Sequence, residues 1–150
     1  MIVFNDAYLG GKIAEASTVN FNPTTDPSIV RVSDDGERRL LGGSVFQNYT
    51  GREGSMGIHV ASFEPLWINP DLLWATFHYP FVQLGVRRLF GQVATKNQAA
   101  LRFDLKLGFK ILTVVERVYP DDDMILVAMD REDCRHLKIK PRTLMVEEAA

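Results

Sequence analysis

The chain has 150 residues, enough for one domain with a substantial core, and its content of 46% hydrophobic and 24% charged residues is typical of globular proteins. A net charge of -2 argues against a nucleic-acid partner, and no apolar run is long enough to span a membrane. The single cysteine, Cys134, excludes an intrachain disulfide and favours a reducing compartment, and the first residues lack a signal-peptide pattern. We therefore expect a cytoplasmic protein.

The first 27 residues form a variable N-terminal segment, in which we expect one short helix at 6–16 followed by turn residues at 20–27. Three strands follow at 28–32, 40–50 and 55–63, joined by polar links that suit antiparallel connections. The pair Gly42-Gly43 in the second strand indicates a bulge or a close approach of two backbones.

A longer helix is predicted to begin at Asn69, because Asn-Pro-Asp supplies a polar cap, a first-turn proline and an acid near the positive end of the helix dipole. The helix should end at Gly85, and Pro80 inside it removes one backbone hydrogen bond and predicts a kink. A strand at 89–95 comes next. This strand and the one at 55–63 are therefore expected to run parallel, with the helix as their crossover.

The stretch NQAALRFDLKLGFK predicts a second helix with a cap at each end. Asn97 is a favoured N-cap, and Gly108 followed by Phe109 is typical of a left-handed C-cap with its hydrophobic contact. The apolar residues of one helix face recur at helical spacing: Ala100, Phe103 and Leu107.

Two final strands, at 110–119 and 124–130, are joined by the turn PDDD. Its three carboxylates, Asp121 to Asp123, are interpreted as a solvated hairpin tip, and no metal site is predicted. The order of elements predicts one α+β domain over residues 1–150, built on a mixed twisted sheet with one parallel strand–helix–strand crossover. The basic residues of the C-terminal tail, 131–150, are interpreted as a solvated face or a small anion patch.

This order of elements, with NQAALRFDLKLGF in its place, resembles the GNAT acetyltransferase superfamily. The branch that it resembles includes the N-terminal acetyltransferases of ribosomal proteins and small phage or prophage members. The resemblance covers about residues 28–130, and the matching positions are Phe81, Leu84, Gly85, Val86, Arg88, Asn97, Ala100, Phe103, Leu107, Gly108 and Phe109.

The resemblance implies a GNAT-like fold and acetyl-coenzyme A as the cofactor. In that family the strand before the long helix splays away from the strand after it, and the pantetheine arm pairs with the exposed backbone. On this sequence the splayed edge would run from Val60 to Phe63. The cofactor contacts implied in this way are Ala61, Ser62, Phe63, Asn97 and Phe103.

Two features depart from the family pattern. Family members carry a glycine-rich loop that binds pyrophosphate, whereas the corresponding residues here, 64–69, include no glycine, a proline and Glu64. We expect weak coenzyme A binding, with Arg102 as the side chain that compensates. The second departure is Asp104, where many relatives place a tyrosine as general acid. An aspartate there is ionised unless burial shifts its pKa.

The candidate catalytic residues are therefore His59 or Glu64 as the base and Asp104 as the acid. The first functional hypothesis is an N-acetyltransferase that transfers acetyl from acetyl-coenzyme A to a primary amine by direct attack on the thioester. The alternatives are a degenerate GNAT-fold binding protein without acyl transfer, and a transferase that uses a different acyl-type donor. The acceptor would be an amine-bearing protein or small molecule, and a homodimer is one expected state.

Overall fold

In the computed structural model, which describes residues 1–142 and 146–148, eight strands form one mixed sheet and three α-helices pack on its two faces. In chain order the elements are β1 (Ile2–Phe4), α1 (Ala7–Ala16), β2 (Ser28–Val32), β3 (Leu40–Gln47), β4 (Ser55–Ser62), α2 (Pro70–His78), β5 (Arg88–Ala94), α3 (Gln98–Leu107), β6 (Lys110–Tyr119), β7 (Asp122–Asp130) and β8 (Val146–Glu148). Within the described residues, no helix is long and apolar enough to cross a bilayer.

The order of strands across the sheet is β6-β7-β5-β4-β3-β2-β1-β8. β2, β3 and β4 are antiparallel neighbours, and β4 and β5 run parallel through the crossover helix α2. The α+β fold class and the single parallel strand–helix–strand crossover are therefore confirmed. β1 and β8, which pair with each other in parallel at one side of the sheet, were not predicted.

Each face of the sheet has its own apolar cluster. α1 covers one face, where the buried residues include Val3, Ile13, Val30 and Val45. α2 and α3 cover the other face, where the buried residues include Phe46, Ile58, Phe77, Leu89 and Val127. Because side chains alternate along a strand, β4 directs Val60 towards α2 and α3 and Ala61 towards α1. This alternation decides which side chains of β4 can meet in a site.

The glycine pair of β3 is a place where other parts of the chain approach the backbone. A Cβ on Gly42 would lie 2.5 Å from the indole of Trp67, and a Cβ on Gly43 would lie 2.6 Å from the carbonyl oxygen of Ile29. The predicted close approach is confirmed. Its consequence is that the Trp67 indole packs directly against the backbone of β3 and beside Phe103 of α3.

The end of α2 differs from the expected kink. After His78 the chain continues as a π turn over Tyr79–Gln83, in which the Leu84 N–H donates to the Tyr79 carbonyl. The wider turn accommodates Pro80 because a π turn spaces its hydrogen bonds one residue further apart than an α-helix does. The segment then ends at Gly85 with a positive φ of 71°, as predicted.

The described part of the C-terminal tail is not simply a solvated basic face. Two short 3₁₀ turns, Arg131–Asp133 and Arg135–Lys138, pack beside α2 and α3. The buried His136 ring stacks on Phe77 with centroids 4.7 Å apart, and its Nε2 lies 2.7 Å from the Leu107 carbonyl oxygen. Burial lowers the pKa of His136. A neutral imidazole is therefore part of the core here.

Candidate active site

A cleft opens where β4 and β5 diverge. The two strands pair only between Ser55–Gly57 and Arg88–Phe90, after which β4 stays with β3 and β5 stays with β7. The space between them is a cleft of about 580 Å³. Its lining includes six of the residues expected at the site: His59, Ala61, Ser62, Asn97, Phe103 and Asp104.

The backbone of β4 presents hydrogen-bonding groups to this cleft. The Phe63 N–H donates to the Leu41 carbonyl at 2.9 Å, and hydrogen-bonded pairs alternate along an antiparallel ladder. The N–H and C=O groups of Val60 and Ser62 therefore point away from β3 and into the gap. The Val60 carbonyl accepts a hydrogen bond from the Ser17 hydroxyl at 3.3 Å. The remaining groups form an open strand edge inside the molecule.

Asn97 lies at the N-terminus of α3, on the wall opposite β4. Its Oδ1 accepts the Ala100 N–H at 3.1 Å, and its backbone N–H donates to the Ala94 carbonyl at 2.8 Å. The predicted N-cap is confirmed. Within the described structure the side-chain nitrogen has no hydrogen-bond partner, so it can donate to a ligand in the cleft.

Asp104 lies in the second half of α3, on the side of the helix that faces the cleft, and is half-buried. Its Oδ2 lies next to Gly91 of β5, where a Cβ would be 3.8 Å away, an ordinary van der Waals distance. Burial raises the pKa of Asp104 to about 6, and its carboxyl group has no hydrogen bond or ion pair with any described residue. Burial is what this aspartate was expected to need for a shifted pKa, so the carboxyl group can hold a proton up to a pH of about 6.

His59 lies on the other side of the strand. Alternation along β4 directs its side chain to the face covered by α1, where a shallow polar pocket joins the cleft. The other polar residues of this pocket include Asn20, Asn22, Asp26, Gln47 and Gln92. Burial lowers the pKa of His59, although the charge of Asp26 opposes that shift. A neutral imidazole, which can accept a proton, is thus favoured at this position.

Gln92 and Tyr119 are among the cleft residues that were not predicted. Gln92 is a polar residue inside the otherwise apolar stretch 89–94 of β5, and that interruption was a usable signal. Tyr119 is the last residue of β6, the edge strand that is separated from β5 by β7, and it lines the cleft from that direction. Burial raises the pKa of Tyr119. Only the register of the β6–β7 hairpin brings Tyr119 here, so no short motif could have revealed it.

The N-terminus of α2, where the family pattern implies an anion site, is already capped. Pro70 has no N–H, and the N–H groups of Leu72 and Leu73 donate to the side chain and the carbonyl of Asn69, at 2.8 and 3.1 Å. Asp71 adds a carboxylate, which accepts the backbone N–H of Arg142 at 3.0 Å. This helix end offers few donors to a phosphate group and a charge of the wrong sign.

The loop before α2 is held by arginines. Arg31 donates from Nη1 to the carbonyl oxygens of Leu66 and Trp67, both at 2.9 Å, and Arg39 pairs with Glu64 at 3.0 Å. Trp67 in turn contacts Phe103, with ring centroids 5.7 Å apart. Three expected site residues, Phe63, Glu64 and Arg102, are not among those that line the cleft. Among the described residues, the open β4 edge fits an extended thioester arm, but the loop does not fit a diphosphate.

No protein-family model matches the sequence, and no curated protein is significantly similar to it. Solved structures are similar in fold. A protein assigned to the GNAT acetyltransferase family from Desulfovibrio desulfuricans superposes with a TM-score of 0.63 at 20% identity, covering 87% of this chain and 99% of that one.

Two further structures have named acceptors. Ribosomal-protein-S5-alanine acetyltransferase from Vibrio fischeri superposes with a TM-score of 0.59 at 16% identity, covering 77% of this chain and 63% of that one. A variant of spermidine N-acetyltransferase from Vibrio cholerae gives 0.58 at 18% identity, covering 72% and 67%. At these identities the likeness establishes the fold. The chain has the fold of the GNAT acetyltransferases, as the resemblance predicted.

Proposed function

We propose that this chain, built on the GNAT fold, is an N-acyltransferase that binds an acyl thioester along β4 and transfers the acyl group to a primary amine. The observation that carries the proposal is the open β4 edge, where Val60 and Ser62 direct backbone groups into a cleft. A bound thioester such as acetyl-coenzyme A would supply an acyl carbon that an amine attacks directly. The residues of this chain bind the donor arm, orient it and move protons.

The wall of α3 supplies orientation. The Asn97 side-chain nitrogen donates into the cleft, while its Oδ1 is held by the first turn of α3, so the amide has a fixed direction. An amide group that is already held by one hydrogen bond loses little conformational entropy when its nitrogen donates a second one to a ligand. The proposed role of Asn97 is therefore to orient the donor arm.

Proton movement is assigned to both sides of β4. His59 faces the polar pocket on the α1 side, where an amine acceptor can enter, and its lowered pKa keeps the ring neutral and able to accept the amine proton at a ring nitrogen. Asp104, with a pKa of about 6, holds a proton at a carboxyl oxygen in the cleft below that pH. Tyr119, also in the cleft, is a second group that can hold a proton. Glu64 is not part of this proposal because it pairs with Arg39 outside the cleft.

The capped N-terminus of α2 favours a second candidate. A protein that lacks a diphosphate site could bind a ligand in the cleft without acyl transfer, or could use a different acyl-type donor. In either case the donor slot formed by β4 and β5 would be used, while coenzyme A itself would gain little from its diphosphate.

The test is a calorimetric titration of the full chain with acetyl-coenzyme A, coenzyme A and S-acetyl-pantetheine, which lacks the diphosphate and nucleotide. We expect acetyl-coenzyme A and S-acetyl-pantetheine to bind within about tenfold of each other, which corresponds to about 1.4 kcal/mol. Acetyl transfer is then measured with spermidine and with an alanine-terminated peptide as acceptors. Turnover that is lost in His59→Gln and kept in Thr24→Ala, an exposed residue outside both the cleft and the polar pocket, would support the roles assigned above.

Two outcomes would decide against parts of the proposal. Binding of either thioester without transfer to any primary amine would favour the binding protein over the enzyme. The absence of binding by both thioesters would remove the acyltransferase proposal altogether.

A further inference from the structure

The cleft and the polar pocket that joins it have an acidic lining. Three residues line both cavities: Thr18, His59 and Gln92. Among the described residues, no lysine or arginine lines either cavity, and the carboxylates of the lining are Asp104 in the cleft and Asp26 in the pocket. A ligand that enters these joined cavities therefore meets negative charge without a compensating positive charge, and such a field favours cations.

Asp26 lies in the loop between α1 and β2, and neutral donors hold its carboxylate. Its Oδ2 accepts the Asn22 N–H and the Gln47 side-chain nitrogen, both at 2.9 Å, and its Oδ1 accepts the Thr25 hydroxyl at 3.2 Å. Within the described chain the carboxylate forms no ion pair, so its charge is not neutralised by the protein. Because a carboxylate has about four acceptor sites, it can accept a further donor from a ligand.

Gln47 brings this carboxylate close to His59. In the β3–β4 ladder Val45 lies opposite His59, so Gln47, two residues along β3, is the diagonal neighbour of His59 on the same face. Gly57, which lies opposite Gln47, has no side chain to fill the space. Because the Gln47 amide donates to Asp26, the carboxylate lies one side chain away from the proposed base.

The rest of the pocket suits the middle of a flexible cation. Val19 and Phe21 belong to its lining and offer apolar surface to methylene groups. A primary amine is an ammonium ion near neutral pH because its pKa is about 10, and Asp26 can bind such an ion. A ligand carboxylate would meet Asp26 and neutral amides but no cationic side chain, so its desolvation would not be compensated.

Resting on the proposed acyl transfer, we propose that the acceptor is a flexible diamine without a carboxylate, whose second ammonium group binds Asp26. The amine that reacts lies beside His59 and loses its proton there, while the other amine keeps its charge. Asp26 is then a specificity-determining residue, which selects diamines over monoamines and disfavours amino acids. Its charge acts on the distal end of the acceptor and not on the reacting atoms.

The test compares acceptors of equal length that differ at one end only: pentylamine, 1,5-diaminopentane and 5-aminopentanoate, together with the corresponding butyl compounds. We expect kcat/KM for the diamine to exceed that for the monoamine by about tenfold in at least one series, as for one hydrogen bond to a charged group. The amino acid should be the poorest acceptor. The preference for the diamine should shrink as salt concentration rises, because Asp26 is only partly buried.

Variants of Asp26 separate its charge from its place in the loop. Asp26→Asn should bring the ratio of diamine to monoamine kcat/KM close to one, and Asp26→Glu, which keeps the charge, should retain part of the preference. Asp35→Asn is the matched control, because Asp35 also holds a turn, accepting the Glu37 N–H at 3.1 Å, but lines neither cavity. It should keep the full ratio. General damage to the fold would lower both rates and leave the ratio unchanged.

Calorimetric titration of the full chain with 1,5-diaminopentane, without a thioester, gives a readout that does not depend on turnover. Diamine binding that is present in the wild type and lost in Asp26→Asn would support the proposal. Equal kcat/KM for diamine and monoamine in both series, a ratio that survives in Asp26→Asn, or diamine binding that is absent or equal in the two proteins would overturn it. Failure of every acceptor to react would instead remove the proposed acyl transfer, and the titration alone would then decide whether the pocket binds a diamine.

Discussion

The two ends of the cleft differ in what they leave available. At the β4 end, the strand topology itself exposes the backbone groups of Val60 and Ser62. At the α2 end, Asn69 already accepts a first-turn N–H group that an anion site would use, and the Asp71 carboxylate would repel an anion. The slot is produced by the way in which two strands diverge, so it persists wherever the fold does. The anion site depends on a few loop residues, so a few substitutions can remove it.

The largest effect on stability is expected from Asp104→Asn, in the cleft lining. The folded-state pKa of about 6 is above the ordinary value of 3.8, so the native state favours the protonated carboxyl group. Native stability should therefore fall as pH rises from about 4 through 6 and stay level above. Asparagine cannot ionise, so the variant should be more stable than the wild type at pH 8 by about 2 to 3 kcal/mol.

Urea unfolding at pH 4 and pH 8 checks this prediction. Asp121→Asn, which removes an exposed carboxyl group at the hairpin tip, is the matched control and should show no comparable difference. A stability change in Asp104→Asn that is equal at both pH values would mean that the carboxyl group is not desolvated.

Gly42→Ala tests the α2 end of the cleft, where the loop before α2 packs on β3 through Trp67. The new Cβ would lie 2.5 Å from the Trp67 ring and 3.0 Å from the Ala61 carbonyl oxygen, so the indole must move. We expect a loss of about 1 to 3 kcal/mol in the free energy of unfolding and a change in Trp fluorescence. Gly57→Ala, where the nearest atom would be 3.5 Å away, is the control and should cost less. Equal losses would show that the loop does not depend on this contact.

Ser62→Pro tests whether the β4 edge binds the donor. The N–H of residue 62 points into the gap between β4 and β5. Proline therefore removes one hydrogen-bond donor from the cleft and leaves the hydrogen bonds between β4 and β3 intact. Thioester binding should weaken by about tenfold, near the roughly 1.5 kcal/mol of a single hydrogen bond. Ser62→Ala keeps the N–H and should bind normally. Calorimetry on both variants decides, and unchanged binding in the proline variant would place the donor elsewhere.

Asn97→Ala should cost about 1 kcal/mol of stability through the lost N-cap. If Asn97 also orients the donor, thioester affinity or turnover should fall in the same variant. Asn97→Asp keeps the capping oxygen but lacks the donor nitrogen, so it separates the two roles. Normal kinetics in both variants would reduce Asn97 to a helix cap.

Glu64→Gln should have the smallest effect. Glu64 and Arg39 form a largely exposed ion pair, and such pairs contribute at most about 1 kcal/mol. Because Glu64 lies outside the cleft lining, thioester affinity should be almost unchanged, and the same holds for Arg102→Ala. Affinity for coenzyme A that rises in Glu64→Gln and falls in Arg102→Ala would show that the diphosphate does bind at this loop.

The elements that could be predicted from the sequence are those with local signals. The caps of α3 at Asn97 and Gly108, the parallel crossover through α2 and the close approach at Gly42 all follow from residues within a few positions of one another. β1 has only three residues, too few for an alternation pattern. The π turn was missed because a proline inside a helix admits more than one local solution.

The site was less predictable because its residues come from different elements. Asn97, Asp104 and His59 were identified from the resemblance or from residue type, but the burial of Asp104 depends on how α3 packs against other elements at the cleft. Glu64 lies outside the cleft and pairs with Arg39, which is 25 residues away in sequence. Long-range pairs of this kind leave no pattern that a single sequence displays.

The hydrogen bond from Ser17 to the Val60 carbonyl makes the end of α1 part of the cleft that is proposed to bind the donor. A carbonyl oxygen has two lone pairs, so a ligand can either share this acceptor with Ser17 or displace it. In the first case binding and the docking of α1 reinforce each other, and in the second they oppose each other. Linkage requires the effect to be reciprocal, so substitutions that change how α1 docks on the sheet should also change the affinity of the cleft for the proposed donor.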